Sequence, residues 1–376
     1  MTITEPPAVA DGPIDADEVR RAGSLRPVID VIPDSCYDNP TWRGLAVFAR
    51  DGLFYAAAVA GLILTDRWYF VIPLWILAGL AVSGLFVVGH DAAHQALFKS
   101  RRLNGIVGRI AMLPSLHVFE AWVLGHNRVH HGHTIKAGFD FVWHPQTPEE
   151  YEAKSRWSKF VHRVEWSMFG YGIYYMRQVW WQKMIAFDPT GRHAKAIKRD
   201  SWIMKGVCGA AGIGLLALGW ATYGSVFGSA WMLFKVGIVP FVLFCYVIGW
   251  VVHVHHIDKS IEWHGRREWT KYHGQVEGTT IIHAPRWLDL FLHQILEHSP
   301  HHVDMRIPMY HLREAGQAMG AHFPVPERKL RWRDVRTNTK ACKLYDFDEH
   351  RWMTYAEGRE HLAAAQAAPV EKSVAA

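Results

Sequence analysis

Histidine dominates the chemistry open to this chain: 24 of its 376 residues are His, and they are bunched. Three bunches read HDAAH from His90 to His94, HNRVHH from His126 to His131 and HSPHH from His298 to His302; a fourth, HVHH, runs from His253 to His256. On a helix, side chains three or four residues apart leave one face. His90 with His94, His126 with His130, and His298 with His301 or His302 can therefore each address one ion. The first three bunches bring eight imidazoles. A single zinc takes about four ligands, and about three from protein in catalytic sites, so eight rings suit two ions with positions left open. Imidazole serves zinc, copper, iron and nickel alike; the ligands point first to a dinuclear iron site and leave zinc open. His117, His144, His162, His193, His264, His273, His283, His322, His350 and His361 stand singly and are expected to be surface or hydrogen-bonded side chains.

Something must carry these bunches to one place. Four apolar stretches qualify: Leu45–Leu64, Val71–Gly89, Trp202–Thr222 and Val226–Val252, the last with its span proper at about residues 228–252. Each approaches the ~20 residues that a helix needs to cross a bilayer. Arg50 and Asp51 interrupt the first, and Lys235, near the start of the fourth, is expected to snorkel to the interface. The short turns Thr65–Arg67 and Tyr223–Ser225 join them in pairs. Those turns hold only Asp66 and Arg67, whereas the N-terminal tail, Lys99–Arg199 and the chain after His253 hold nearly all the Lys and Arg. The positive-inside rule puts those three segments in the cytoplasm.

The expected fold is an all-α integral membrane protein, four transmembrane helices in two hairpins under a cytoplasmic helical cap that carries the dinuclear site. The membrane-embedded domain covers 41–362, with the cap at 90–201 and 253–345. His90 begins where the second span ends and His253 where the fourth ends, so the imidazoles gather at the cytoplasmic lipid boundary. Burying so many polar rings beside lipid without a metal leaves their desolvation uncompensated. Leu103–Trp122, broken by Arg109, Pro114, His117 and Glu120, reads as an interfacial or re-entrant helix. Trp157–Phe187 has the mixture of aromatic and basic residues of a membrane-surface belt.

Composition agrees. Half the residues are hydrophobic and 18 are Trp, yet 41 are Lys or Arg and 35 Asp or Glu, which fits apolar spans joined to a polar cap. The net charge of +6 is accounted for by cytoplasmic retention of basic residues, and no basic run with interleaved aromatics suggests nucleic acid. Cys36, Cys208, Cys245 and Cys342 show no CxxC spacing and read as small buried side chains. The acidic, Pro-rich start lacks the layout of a secretory signal. Residues 1–40 and 363–376 are expected to be disordered tails.

HDAAH, HNRVHH and HSPHH, in this order around two hydrophobic hairpins, resemble the three histidine boxes of the integral-membrane fatty acid desaturase family. The likeness extends to GHTIKAGFD, ending at Asp140, with Trp143 and Pro145 beyond it, and to HHVDMRIPMYHLREA near the third box. Both are similar to acyl-lipid desaturases. Ala93 in the first box and the His-rich VHVHH stretch depart from most members. The resemblance implies a diiron centre held by His90, His94, His126, His130, His131, His298, His301 and His302, with dioxygen as co-substrate. The family also places a polar residue between the fourth span and the third box near one metal; His253 or His255 would fill that place, His253 being favoured. Asp91 and Asp140 are expected to orient ligand imidazoles; Glu297 and Asp304 are as well read as ordinary surface acids. With no flavin or nicotinamide fingerprint and no fused cytochrome b5-type domain in the sequence, electrons are expected from a separate ferredoxin- or cytochrome-type donor docking on the basic cap.

The boxes do not separate desaturation from oxygen insertion by a related alkane or carotenoid hydroxylase or ketolase. A metal transporter would place ligands along a path within the spans, and a zinc hydrolase would carry a HExxH motif, which does not occur.

Overall fold

The computed structural model describes residues 15–367, so the tails expected at 1–14 and 368–376 lie outside the described residues. Its regular structure is helical apart from two short strand pairs. β1 (Ile281–His283) runs parallel to β2 (Glu327–Lys329), and β3 (Leu344–Asp346) antiparallel to β4 (Arg351–Met353). Residues 15–40, read from composition as part of a tail, are ordered: helices Ala16–Ala22 and Arg26–Asp30 lead into a tight turn at Asp34–Tyr37. Val28 and Cys36 there are fully buried, so a few apolar side chains anchor an otherwise polar segment. Likewise Tyr355–Ala367 is helical across the start of the expected C-terminal tail.

Among the described residues, four helices are long and apolar enough to cross a membrane: Thr41–Leu64, Trp68–Ala93, Gly191–Tyr223 and Val226–His256. Burial divides them. The most apolar windows of the second and fourth are 61% and 44% buried inside the protein, those of the first and third 17% and 11%, so the second and fourth form the inner layer. Their contact is close because Gly79 has no side chain; a Cβ there would lie 2.7 Å from that of Leu243. Both inner helices run on past their apolar sequence. The second continues through His90 to Ala93 with His94 at its end, and the fourth carries His253, His255 and His256 in its last turn.

The charges that interrupt the apolar stretches have found partners. Asp51, 1% exposed, receives Arg50 Nε at 2.9 Å and His293 Nε2 at 2.8 Å. Arg109 bridges Asp200 (2.8 Å) and Glu120 (2.6 Å). Lys235 does not snorkel. It is wholly buried, in a wide π-helical turn (Phe234–Ile238) shortly before Pro240, which has no N–H to donate. Its Nζ donates to Asp66 Oδ1 (2.7 Å), the Thr65 carbonyl (3.0 Å) and the Tyr223 hydroxyl (3.2 Å), tying together the two short inter-helix turns.

Removing the carboxylate at Asp66 leaves a buried ammonium with neutral partners only. Asp66→Ala is expected to cost ~1–3 kcal/mol, measured as a lower unfolding midpoint of the detergent-solubilised protein. An unchanged midpoint would show that this tie contributes nothing.

Candidate metal centre

The first box sits on the last turn of an inner helix, where small residues pack tightly and the rings of His90 and His94 lie 4.6 Å apart, centroid to centroid. The second box has an unusual backbone. Helix Phe119–Trp122 widens into a π-helix over Val123–His130, and the His131 N–H donates to the His126 carbonyl five residues back. A π-helix aligns residues five apart rather than four. His126 and His131 therefore meet, Nε2 to Nε2 at 3.2 Å, while His130 points elsewhere. The third box forms the short helix His298–Val303, all six residues buried.

These elements bring the rings together in two groups. His90, His94, His126, His131 and His301 each offer a ring nitrogen, and these nitrogens lie within 4.8 Å of one another; His130, His256 and His302 do the same. The groups adjoin, since His131 and His302 stack at 4.2 Å. His298 lies beside the second group, its Nε2 3.1 Å from that of His302. All eight box histidines thus converge. His253 does not join them: it packs against Trp143 and Tyr171, outside both groups. His255 stacks on His298 at 3.9 Å. His256 enters the second group instead. Sequence offers no way to choose among residues 253, 255 and 256, because the rotation of the helix about its axis decides which ring faces inward.

The second group is held in a single tautomeric pattern by its surroundings. His130 Nδ1 donates to Asp140 Oδ1 at 3.0 Å, His256 Nδ1 to the Gly278 carbonyl at 3.1 Å and His302 Nδ1 to Gln275 Oε1 at 3.0 Å. That leaves the lone pair of each ring on Nε2, with His298 Nε2 facing that of His302, the arrangement found around metal-ligating histidines. Asp140 is itself fixed by the backbone N–H groups of Ile135 and Val142, both at 3.0 Å. Gln275 donates to the His131 carbonyl at 2.7 Å, and neither Gln275 nor Gly278 carried any mark in the sequence. Asp91 approaches His90 Nδ1 only to 3.4 Å; its other oxygen accepts the Met309 N–H at 2.6 Å, tying the first box to the chain after the third. Glu297 and Asp304 touch no imidazole. They are engaged by Arg313 (3.0 Å) and Arg306 (2.5 Å).

Among the described residues, neither ring nitrogen of His94 or His301 in the first group has a hydrogen-bond partner, nor does Nδ1 of His131, nor Nδ1 of His298 beside the second group. Buried polar atoms in such number call for a missing partner, and converging lone pairs with no added proton are what a cation accepts. Burial, followed by the facing imidazoles, holds His94, His126, His131, His298, His301 and His302 well below the usual histidine range, so they are neutral and ready to ligate. No thiolate is near: all four Cys are free and none belongs to either group.

Four long apolar helices together with buried histidine groups that could hold metal define a class, the membrane desaturases and their relatives. The sequence pattern of the family described as "Fatty acid desaturase" matches residues 66–334, and the chain belongs to that family. It is therefore an oxidoreductase of the fatty acid desaturase type. It is 28% identical over 347 residues to the sn-1 oleoyl-lipid 12-desaturase of Picosynechococcus sp., covering 89% of this chain and 93% of that protein. Likeness to the enzyme of that name from Synechocystis sp. is also 28%, over 94% and 98% of the two chains. The chloroplastic omega-6 fatty acid desaturase of Glycine max is 27% identical over 342 residues, 86% of this chain and 74% of that one.

Two outcomes follow from this geometry. Asp140→Asn replaces one accepting oxygen by a donating amide, so the side chain can no longer accept from Ile135, Val142 and His130 together, and is expected to lower metal affinity by ~10–100-fold, read as metal retained per chain against a chelator. As for pH, these imidazoles bind protons more weakly folded than unfolded, so the unfolded chain takes up more protons below its ordinary value near ~6.5. Stability is complete above that pH and falls as pH drops below it; a midpoint constant from pH 7 down to pH 5 would contradict this reading.

Proposed function

We propose that this protein is an acyl-lipid desaturase that places a cis double bond at the omega-6 (12) position of an oleoyl chain held in a membrane glycerolipid. Two irons are its metals, one held by His90, His94, His126, His131 and His301, the other by His130, His256 and His302 with His298 alongside. The observation that carries this reading is the convergence of the two imidazole groups beside an apolar cavity lined by Phe86, Trp122, Tyr175 and Ile248 together with His90, His126 and His298. The family match supports the chemistry, and the activities for which the relatives are named support the substrate and position.

When bound, the iron pair with dioxygen supplies the oxidising power that an unactivated methylene requires. Overall, two hydrogens leave adjacent carbons, and with two electrons and two protons from outside, dioxygen is reduced to two waters. The chain's own residues do the rest. Asp140, Gln275 and the Gly278 carbonyl hold imidazole tautomers so that the ligand field does not depend on thermal reorientation. Phe86 packs edge-on against Trp122 at 4.9 Å and against Phe244 at 5.3 Å, a dry wall that keeps water from the site and fixes which carbon reaches it.

In this reading the four helices cross the bilayer as two hairpins, and the cap with its active site lies on the cytoplasmic face. The exposed Trp157, Phe160, Phe169 and Trp181 would then meet the lipid headgroups. A ferredoxin- or cytochrome b5-type donor docks on the basic cap and delivers the electrons.

The test is fatty-acid profiling of a host rich in oleoyl lipids. Wild type is expected to give dienoic acyl chains, His301→Ala and His256→Ala none, and His253→Gln most of the wild-type amount. Profiles of wild type and His301→Ala that match the empty host would overturn the proposal, and loss of product in His253→Gln would overturn the ligand assignment.

A further inference from the structure

A third group of ligating side chains lies outside the polyhistidine centre. His264, Glu268 and His350 each offer one ligand atom, and these atoms lie within 4.8 Å of one another. All three stand alone in the sequence, on two segments some eighty residues apart. His264 and Glu268 belong to the loop that follows the fourth long helix, and His350 lies in the turn between β3 and β4.

Each residue is held in place by contacts that leave a ligand atom available. His264 is 7% exposed, and its ring has no hydrogen-bond partner among the described residues. Its backbone is pinned on both sides, with N–H donating to the Ile135 carbonyl at 3.2 Å and carbonyl accepting from Ala137 N–H at 3.0 Å. His350 Nδ1 donates to the Trp263 carbonyl at 2.9 Å, which fixes the tautomer with the lone pair on Nε2. That Nε2 stands 3.6 Å from Glu268 Oε2, too far for a good hydrogen bond. It is, however, about the 3.4 Å edge expected between two ligands of a tetrahedral ion bound at about 2.1 Å. The backbone of His350 sits at φ +46°, a left-handed conformation that a non-glycine residue adopts at a cost and that persists only when its surroundings impose it. Glu268 Oε2 also accepts the Gly265 N–H at 3.3 Å, and its side chain is more than half exposed, so an ion can reach the site from solvent. Behind His264, His273 stacks at 4.4 Å with a buried Nδ1 that has no partner.

We propose that His264, Glu268 and His350 form a second, structural metal site for a divalent transition-metal ion, zinc foremost, on the polar side of the protein. Two neutral imidazoles and one carboxylate are a zinc ligand set with a fourth position left for water. The ion clasps the β3–β4 turn to the loop after the fourth long helix. Through the bridge between His264 and Lys136, it also braces the segment leading to Asp140, which orients His130. The site does not depend on the desaturase reading.

The test uses the full chain in detergent, loaded with iron and then equilibrated with Zn2+ alone. Zinc per chain and the unfolding midpoint are compared among wild type, Glu268→Gln and His350→Ala. The expected result is about one zinc fewer per chain in each variant and loss of the zinc-dependent rise in midpoint, with iron content unchanged. Reading the difference between chains removes any zinc taken up by the box histidines. Glu268 is solvent-facing, so Glu268→Gln reports even where His350→Ala folds poorly. Equal zinc and an equal midpoint rise in wild type and Glu268→Gln would overturn the proposal and leave the cluster as a stack of imidazoles.

Discussion

The rings of nine histidines are packed out of water, several of them lining an apolar cavity, and the rest of the structure answers to the cost of keeping them there. An imidazole moved from water into protein loses solvation on both nitrogens unless each finds a partner. One nitrogen of His130, His256 and His302 is served by a carboxylate, a carbonyl and an amide oxygen. Their other nitrogens, and those of His94 and His301, face inward to a common point where protein offers nothing. A bound metal would offset that deficit, and the centre would then be a condition of the fold around it.

The helices are arranged to meet this condition. The inner two deliver His90, His94 and His256 from their ends, and the outer two cover their flanks. A glycine contact brings the inner pair close, and polar pairs engage the remaining charged side chains: Asp51 with His293, Arg109 with Asp200 and Lys235 with Asp66. His293, at φ +54°, lies just ahead of the third box, so the Asp51 contact also fixes the chain as it enters that helix. The second box uses its backbone differently. By widening to a π-helix it divides three neighbouring histidines between two groups, which no regular α-helix would do.

The sequence by itself determined a good deal. Box spacing follows from the 3.6-residue repeat, and long apolar runs are a one-dimensional signal, so the eight box histidines and the four long helices were legible without coordinates. So was Asp140, ten residues beyond His130, through its likeness to a known stretch.

What the tertiary structure alone decided are matters of rotation, pairing and long-range approach. Helix rotation places His256 rather than His253 among the converging rings, since side-chain direction depends on an angle about the axis that residue types do not encode. Burial of Lys235 required Asp66 from a turn some 170 residues earlier, and no local rule links the two. Order in residues 15–40 rests on a few side chains such as Val28 and Cys36 finding a distant core. His264 and His350 read as solitary because a ligand cluster built from separate loops has no period along the chain; only the folded backbone brings such residues within reach of one another.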